Sequence, residues 1–353
     1  MAITMKQIAE LTGVSIGTVD RALNNRGSIN PAVAQRIRTV AKELNYKTNS
    51  VAKSLAIRNK KLKIAVVLHI QQNPYFNSVE KGIHEATEDI SDFGISIEIY
   101  RCRKFVAEDQ LLKINQAIDD GATAIILTPI DSPIIANKVK ELQEARIPVV
   151  FLTNFLDNTS VFASVCCNYV RSGLLAAGLT RFLTGGHGEV LVFTPTFSML
   201  GHRKRINAIL SYLSEYCPDL HVKKVVELPG DDFDCYRIVS QSLKETPCNY
   251  VIYNGDAHAG IKAIKESPHP IRSIFYDMAE VTLEALQADD ISATINQNPE
   301  MQGKTAVKLL SDYLTSGVKP ENEHILIDCE IILRENIMAI DRFSKNNFVI
   351  GEY

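Results

Sequence analysis

Ser15, Thr18 and Arg21 stand three residues apart, a spacing that places side chains on one face of a helix. Two hydroxyls and a guanidinium on one face make hydrogen-bonding chemistry. An arginine can donate two hydrogen bonds to a guanine edge, a contact worth roughly 1–3 kcal/mol of discrimination. Further along, polar residues follow strand-like apolar runs: Asn254 and Asp256 after Tyr250–Tyr253, and Asp277 after Ile271–Tyr276. A carboxylate there can accept from two hydroxyls, and a buried site of that kind rejects compounds lacking them. Catalytic constellations are missing. There is no GxGxxG after a strand, no GxxxxGK[ST], no GxSxG and no HExxH, and the eight histidines show no catalytic spacing with the carboxylates. Gly185-Gly186-His187-Gly188 lies between a helical stretch and a strand and reads as a turn. We therefore expect a binding protein rather than an enzyme, with no cofactor and no metal.

The elements around Arg21 are short helices with explicit caps. Thr4-Met5-Lys6-Gln7 has the form of a capping box. Ile8, Ala9 and Leu11 give the helix that follows a buried side, and Gly13 can end it in the left-handed conformation. Val14 can fill the gap before a second helix capped by Ser15 and running from Ile16 to Leu23. Val19, Ala22 and Leu23 face inward there, which leaves Ser15, Gly17, Thr18 and Arg21 outside. Asn30-Pro31 opens a third helix with an apolar stripe of Val33, Ile37, Val40 and Leu44. Helix, glycine turn, helix and supporting helix is the plan of a helix-turn-helix. The N-terminus of its second helix attracts phosphate. The pattern also suits a small helical domain that docks a protein, and charge bears on the choice. Residues 1–61 hold 11 Lys and Arg against 3 Asp and Glu, a balance of +8, whereas the remainder holds 27 against 38, a balance of −11. Charge alone fits a solvated helical surface equally well; charge together with turn chemistry favours a polyanion partner.

With 353 residues and 46% apolar content, the chain can bury more than one domain core. From Lys63 onward strand-like runs alternate with amphipathic stretches: Ile64–Leu68, Ile95–Tyr100, Thr123–Leu127, Val149–Leu152, then Val190–Phe193, Val222–Glu227, Tyr250–Tyr253 and Ile271–Phe275. That order implies doubly wound parallel sheets. There are too many strands for one compact sheet, so two lobes with a cleft at the strand carboxyl ends are expected. Seven cysteines, an odd number with no CxxC, argue against a disulfide framework or a zinc site and for free thiols. Nothing at the start reads as a signal peptide, and no apolar run could span a bilayer, so a cytoplasmic protein without membrane attachment is expected.

The run Met5-Lys6-Gln7-Ile8-Ala9-Glu10-Leu11-Thr12-Gly13-Val14-Ser15-Ile16-Gly17-Thr18-Val19-Asp20-Arg21-Ala22-Leu23-Asn24 resembles the headpiece of the lac repressor family, and Ala41–Asn49 resembles the end of that family's third helix. The resemblance covers nearly the whole chain. It implies an all-α helix-turn-helix headpiece (1–48), a hinge (49–61), a two-lobed α/β periplasmic-binding-protein-like domain (62–340) and a tail (341–353). Lobe one would comprise about 62–162 plus 293–321, and lobe two about 163–292 plus 322–340. The resemblance puts Ile16, Gly17 and Arg21 at base-reading positions and makes Thr4, Ser15, Thr18 and Asn24 contacts of the same headpiece, mainly to phosphate. Asn49, Lys53 and Leu55 lie in the basic hinge, where Leu55 matches a minor-groove wedge; the alternative is an ordinary linker. Asp20 stands where the family often has Ser, and Thr48 replaces its usual Pro.

In the ligand domain the resemblance implies a cleft lined by Asn73, Tyr75, Phe76, Thr153, Asn154, Arg203, Asn254, Asp256, Asp277 and Gln297. Asn73-Pro74-Tyr75-Phe76 looks like a ribose-type loop whose aromatics stack on a sugar face, with at least one of the two expected in the core. Arg203 matches the family's ligand arginine, which can bridge hydroxyls or clamp an anion. Thr153-Asn154 stands where many relatives place an Asp, a change that makes an anionic ligand more acceptable. Asp131 is a further candidate that helix capping explains as well. The function implied is that of a transcription regulator, a repressor of carbohydrate genes. Its partners would be palindromic operator DNA, a small sugar or sugar-phosphate effector, and a second copy of itself in a homodimer. A transporter's solute-binding protein and an α/β enzyme with a DNA-binding module are the rivals.

Overall fold

The computed structural model describes residues 3–337 except 24–28, 45, 47–57, 59, 69–73, 104, 198 and 230–231. Asn24, Asn49, Lys53, Leu55 and Asn73 therefore lie outside the described residues, as do Thr48 and the tail.

Three helices form the headpiece: α1 (Met5–Thr12), α2 (Ile16–Leu23) and α3 (Pro31–Glu43). The capping box is present. Thr4 Oγ1 accepts from Gln7 N at 3.3 Å, and Gln7 Oε1 accepts from Thr4 N at 2.8 Å. Gly13 ends α1 at φ +65°, donating its N–H to Ala9 O. Asn30 Oδ1 accepts from Ala32 N at 2.9 Å, with Pro31 in the first turn of α3. Ile8, Ala9, Val19, Ala22, Ala34, Ile37 and Ala41 make the core, and Val14, Leu23, Val33, Val40 and Leu44 pack around it. Leu11 departs from expectation: it is 65% exposed, because Ile8, Ala9 and Thr12 already fill the inward face of so short a helix.

The rest of the chain builds two six-stranded sheets. The first contains β1 (Lys63–Leu68), β2 (Ser96–Arg101), β3 (Ala124–Leu127), β4 (Val149–Leu152), β5 (Ala163–Cys167) and β11 (His324–Ile327), in the order β11-β5-β4-β3-β1-β2 and parallel throughout. The second contains β6 (Gly188–Thr194), β7 (Leu220–Glu227), β8 (Tyr250–Tyr253), β9 (Arg272–Tyr276), β10 (Ala293–Asn296) and β12 (Glu330–Ile332), in the order β12-β10-β9-β8-β6-β7, with β12 antiparallel. Central strands such as β3 and β4 are buried along their whole length, as expected for a sheet covered on both faces, whereas the edge strand β2 is mostly half-exposed or exposed.

Helices cover each sheet. Helix α4 (Pro74–Asp89) packs on α12 (Pro299–Ser316) over one face of the first sheet, and α5 (Ala107–Asp119) with α6 (Pro133–Glu144) covers the other. The pairing of α4 with α12 depends on two glycines. A Cβ on Gly82 would lie 1.9 Å from Glu300 O, and one on Gly303 would lie 2.3 Å from Val79 O. Helices α7 (Tyr169–Thr184) and α8 (Leu200–Tyr216) pack together over the second sheet, opposite α9 (Asp232–Glu245), α10 (Ala257–Lys265) and α11 (Glu280–Gln287). A last turn, α13 (Arg334–Ile337), lies against α11. No helix of the described residues is long and apolar enough to cross a membrane.

The chain passes between the sheets three times: from β5 to α7, from β10 to α12, and from β11 to β12. This corrects the expected lobe boundaries. Residues 163–167 and 324–327 belong to the first sheet, and 293–296 to the second. The sequence Ala-Ser-Val-Cys-Cys of β5 carries no strong strand pattern. It is fully buried because β4 and β11 flank it, so tertiary position makes the strand.

Candidate functional site

Helix α2 presents a polar end. Ser15 Oγ accepts from Thr18 N at 3.1 Å and lies 2.9 Å from Thr18 Oγ1, and Arg21 Nη2 donates to Thr18 Oγ1 at 3.4 Å. Ser15, Ile16, Gly17 and Arg21 are exposed and Thr18 is half-exposed, so the predicted reading residues that are described share one outward surface. Ile16, an isoleucine with 49% of its surface exposed, has no place in the headpiece core. A Cβ on Gly17 would meet only Ser15 Oγ, at 3.8 Å, so packing within the chain does not require glycine there. Asp20 acts on Tyr46: burial first, then the Asp20 charge, holds the Tyr46 phenol above its usual pKa. Thr4 serves the α1 cap and is exposed.

The second group lies where the sheets connect. Gln297, just after β10, is its hub. Gln297 Nε2 donates to Asp277 Oδ1 at 2.6 Å, and its Oε1 accepts from Arg205 Nη2 and from the Cys167 thiol, the latter at 3.1 Å. Its backbone carbonyl accepts from Gln302 Nε2 at 2.8 Å, and the Gln302 side chain in turn bonds the Tyr75 hydroxyl. Arg205 also donates from Nε to Ser172 Oγ at 2.9 Å, and its guanidinium lies 4.2 Å from the Tyr276 ring centre and 5.2 Å from that of Tyr169. Only 1% of Arg205 is exposed. Burial opposes its charge, but the phenols of Tyr276 and Tyr169, the Cys167 thiol and the Asp277 carboxyl outweigh that and raise its pKa. Such a cation is stable only with this many partners.

The Asp277 carboxyl is pushed up to about 6, chiefly by burial; the Gln297 bond and the Arg205 charge pull the other way. Its backbone is left-handed, φ +71°, as is that of Thr153, φ +62°. Two non-glycine residues in that region at strand ends are costly conformations, of a kind that clusters at binding sites. Thr153 is tied across the lobes: its carbonyl accepts from Tyr169 Oη at the start of α7. His202 is held neutral, its pKa lowered to about 4 by burial and then by Arg205, despite its contact with Thr196 O.

The structure joins Tyr75, Asp277 and Gln297 in one network and separates other candidates from it. Phe76 is core, packed with Val79 and Ile83. Asp256 caps α10 through Ala259 N at 2.8 Å. Arg203 is half-exposed at the rim, donating to Phe197 O at 2.6 Å and facing Asp131 of the other lobe at 3.9 Å. Asn154 donates to Pro129 O at 3.1 Å, leaving its Oδ1 buried without a protein partner. Thr128 Oγ1, Thr194 Oγ1, Asn254 Nδ2 and Gln302 Oε1 are in the same condition. Four of these five residues follow or close β3, β4, β6 and β8 at their carboxyl ends, and buried polar atoms left this way call for water or a polar ligand.

Arg205 is the residue that the sequence reading missed. On α8 it shares a buried face with Gly201, Ala208 and Ile209, at helical spacing, whereas Arg203 and Lys204 fall off that face. Gln302, Cys167 and Tyr169 were also unassigned; nothing in their own spacing marks them.

Residues 64–318 match the family described as periplasmic binding protein domain, and residues 4–49 match the bacterial regulatory proteins, lacI family. The ribose operon repressor of Bacillus subtilis (strain 168) is 26% identical over 322 residues, covering 87% of this chain and 90% of the relative. A ribose import binding protein of the same organism is 23% identical over 261 residues, covering 72% and 82%. Among solved structures, the Caulobacter myo-inositol binding protein bound to myo-inositol superposes with a TM-score of 0.71 at 18% identity, covering 78% of this chain and 94% of that one.

Proposed function

From the premise that this chain belongs to the periplasmic binding protein domain family and carries a lacI-family regulatory domain in front of it, we propose that it is a transcription repressor of carbohydrate genes, switched by a small polyhydroxy effector. The observation that carries the reading is the union in one chain of an exposed polar recognition helix and a buried polar network spanning the lobe crossovers. Gln297 and Cys167 sit on two crossovers, and Arg205 of α8 holds both. An effector that re-pairs the orphaned polar atoms at the strand ends favours one lobe arrangement over another. Operator affinity changes if that arrangement and DNA binding are linked.

In this reading α2 enters the major groove with Ile16, Gly17 and Arg21 toward bases and Ser15 and Thr18 toward phosphates, and Thr4, Asn24, Asn49, Lys53 and Leu55 complete the DNA contacts. Tyr75, Thr153, Asn154, Asn254, Asp277 and Gln297, with Arg205 added, take the effector. Phe76 and Asp256 act as supports, and Arg203 is a rim residue. An uncharged sugar or polyol fits better than a sugar phosphate, because the buried guanidinium is already engaged and a carboxyl lies beside it. A homodimer on a palindromic operator, residence in the cytoplasm, and division into headpiece 1–48, hinge 49–61, ligand domain 62–340 and tail belong to the same proposal. Fluorescence anisotropy against operators selected from random DNA tests it. Sequence-specific, salt-sensitive binding is the expected result, and binding equally weak on every sequence would overturn it.

A further inference from the structure

Two thiols occupy two of the three lobe crossovers. Cys167 is the last residue of β5, where the chain leaves the first lobe, and Cys329 lies between β11 and β12, where it leaves that lobe again. Parallel pairing of β5 with β11 sets Cys167 opposite Ile327, two residues before Cys329. The Cys167 thiol donates to Gln297 Oε1 at 3.1 Å and receives Arg205 Nη2 at 3.8 Å, and Cys329 lies in the same buried cluster, near enough for the two sulfurs to influence each other's ionisation. Gln297 stands just beyond β10, on the remaining crossover. One cluster of neighbouring buried side chains therefore touches all three connections. Of the seven free cysteines, Cys167 and Cys329 stand at or just beyond the ends of the first-sheet strands from which the chain crosses to the second lobe.

We propose that Cys167 and Cys329 form a reversible disulfide, a thiol-oxidation site that ties the first and third crossovers and restrains the lobes. The oxidant class is a peroxide. The Cys329 thiolate attacks one peroxide oxygen and becomes a sulfenic acid as the other oxygen leaves as hydroxide. The Cys167 sulfur then attacks the Cys329 sulfur; the S–S bond forms, the S–O bond breaks, and the leaving hydroxide takes the Cys167 proton as water. Two thiols and one hydrogen peroxide give one disulfide and two waters. A dithiol reductant reverses it by exchange.

The roles of the two sulfurs follow from their surroundings. Cys329 is 9% exposed and Cys167 only 1%, so an oxidant reaches Cys329 first. The neighbouring Cys167 thiol, followed by the Arg205 charge, lowers the Cys329 pKa against its burial, whereas burial raises that of Cys167. Thiolate character at the less buried sulfur and a resolving thiol beside it are what a redox-sensitive pair needs. The disulfide also removes the proton that Cys167 offers Gln297, so oxidation reaches the effector network as well as the crossovers.

The chemical part stands apart from the effector reading; the regulatory part rests on it. Purified full-length chain is exposed to dilute hydrogen peroxide, quenched, alkylated and digested for mass spectrometry. The expected result is loss of two hydrogens, five thiols open to alkylation, and a linked peptide pair containing Cys167 and Cys329 that dithiothreitol releases. Cys329→Ala abolishes the link and Cys102→Ala leaves it, with a thermal melt confirming that both variants are folded. Seven alkylated thiols after exposure, or a link that involves Cys166 instead, would overturn the site. Where the reduced protein's operator binding responds to an effector, the oxidised protein's response falls about tenfold or more. Disulfide formed with the response unchanged would overturn the restraint on the lobes, whereas no response from the reduced protein would count only against the effector reading.

Discussion

Gln297 Nε2 lies 2.6 Å from Asp277 Oδ1, joining the residue after β10 to the residue after β9 at the point where the chain returns to the first lobe. The same amide's oxygen receives Arg205, so one side chain of fixed donor and acceptor ends stands between a buried cation and a buried carboxyl. That arrangement makes the network sensitive to small changes, and the first two predictions concern it.

Replacing Arg205 and Arg203 separately decides which arginine serves the effector. Arg205→Lys cannot reproduce the fork that reaches Ser172 and Gln297 together, and should weaken effector binding about tenfold or more while operator affinity in its absence persists. Arg205→Ala leaves those partners buried and unpaired, at a cost of about 1–3 kcal/mol in urea unfolding. Arg203→Ala should change effector affinity only a few-fold. Calorimetry that finds Arg203→Ala the more damaging would return the role to the rim.

Asp277 gives a pH signature. Its folded pKa of about 6 lies above the ordinary 3.8, so the folded state retains a proton that the unfolded chain releases between those values. The stability this contributes is fully present below pH 3.8 and is lost as pH rises through about 6, of order 1–3 kcal/mol in all. Other carboxylates titrate in the same range, so the measured quantity is the difference between wild type and Asp277→Asn in urea unfolding at several pH values. Stability of the wild type relative to the variant should fall across that window; a flat difference would show that Asp277 is not held protonated.

Helix contact explains one pair of glycine substitutions. Gly82→Ala drives a methyl into Glu300 O and should destabilise by about 1–3 kcal/mol, because backbone rather than a flexible side chain must move. A Cβ on Gly178, inside α7, would meet only Tyr212 Oη, at 3.9 Å, so Gly178→Ala should be neutral or stabilise by about 0.5–1 kcal/mol. Thermal unfolding of the two variants separates them, and equal effects would refute the close approach of α4 and α12.

At the DNA end, Arg21→Ala should weaken operator binding and relax the preference at one base pair by about 1–3 kcal/mol. Binding selections with randomised operators read this directly. An affinity loss shared by all sequences would reduce Arg21 to a phosphate contact.

The headpiece was legible almost residue by residue, since caps and a glycine C-cap are local chemistry: Thr4, Gly13, Ser15 and Asn30 behave as their types require. The alternation of strands and helices was legible too, because buried parallel strands are strongly apolar. Strand β5 was not, since its burial comes from its neighbours, and overlooking it displaced the expected lobe boundaries. The arginine that joins the buried network was not legible for another reason. Arg203, Lys204 and Arg205 carry like charge within three residues, and only the helical phase with Gly201 and Ile209 sets Arg205 inward. The union of Tyr75, Cys167 and the Gln297–Gln302 pair comes from three distant segments, which no spacing along the chain reveals.

Whether a ligand in the lobe network governs DNA binding is decided by measuring operator affinity across a panel of monosaccharides, polyols and sugar phosphates, in wild type and in Asp277→Ala. At least one uncharged compound should shift the wild-type affinity by about tenfold or more, and the variant should lose this shift while still binding operator. A compound that binds the ligand domain with full affinity and leaves operator binding unchanged would contradict it.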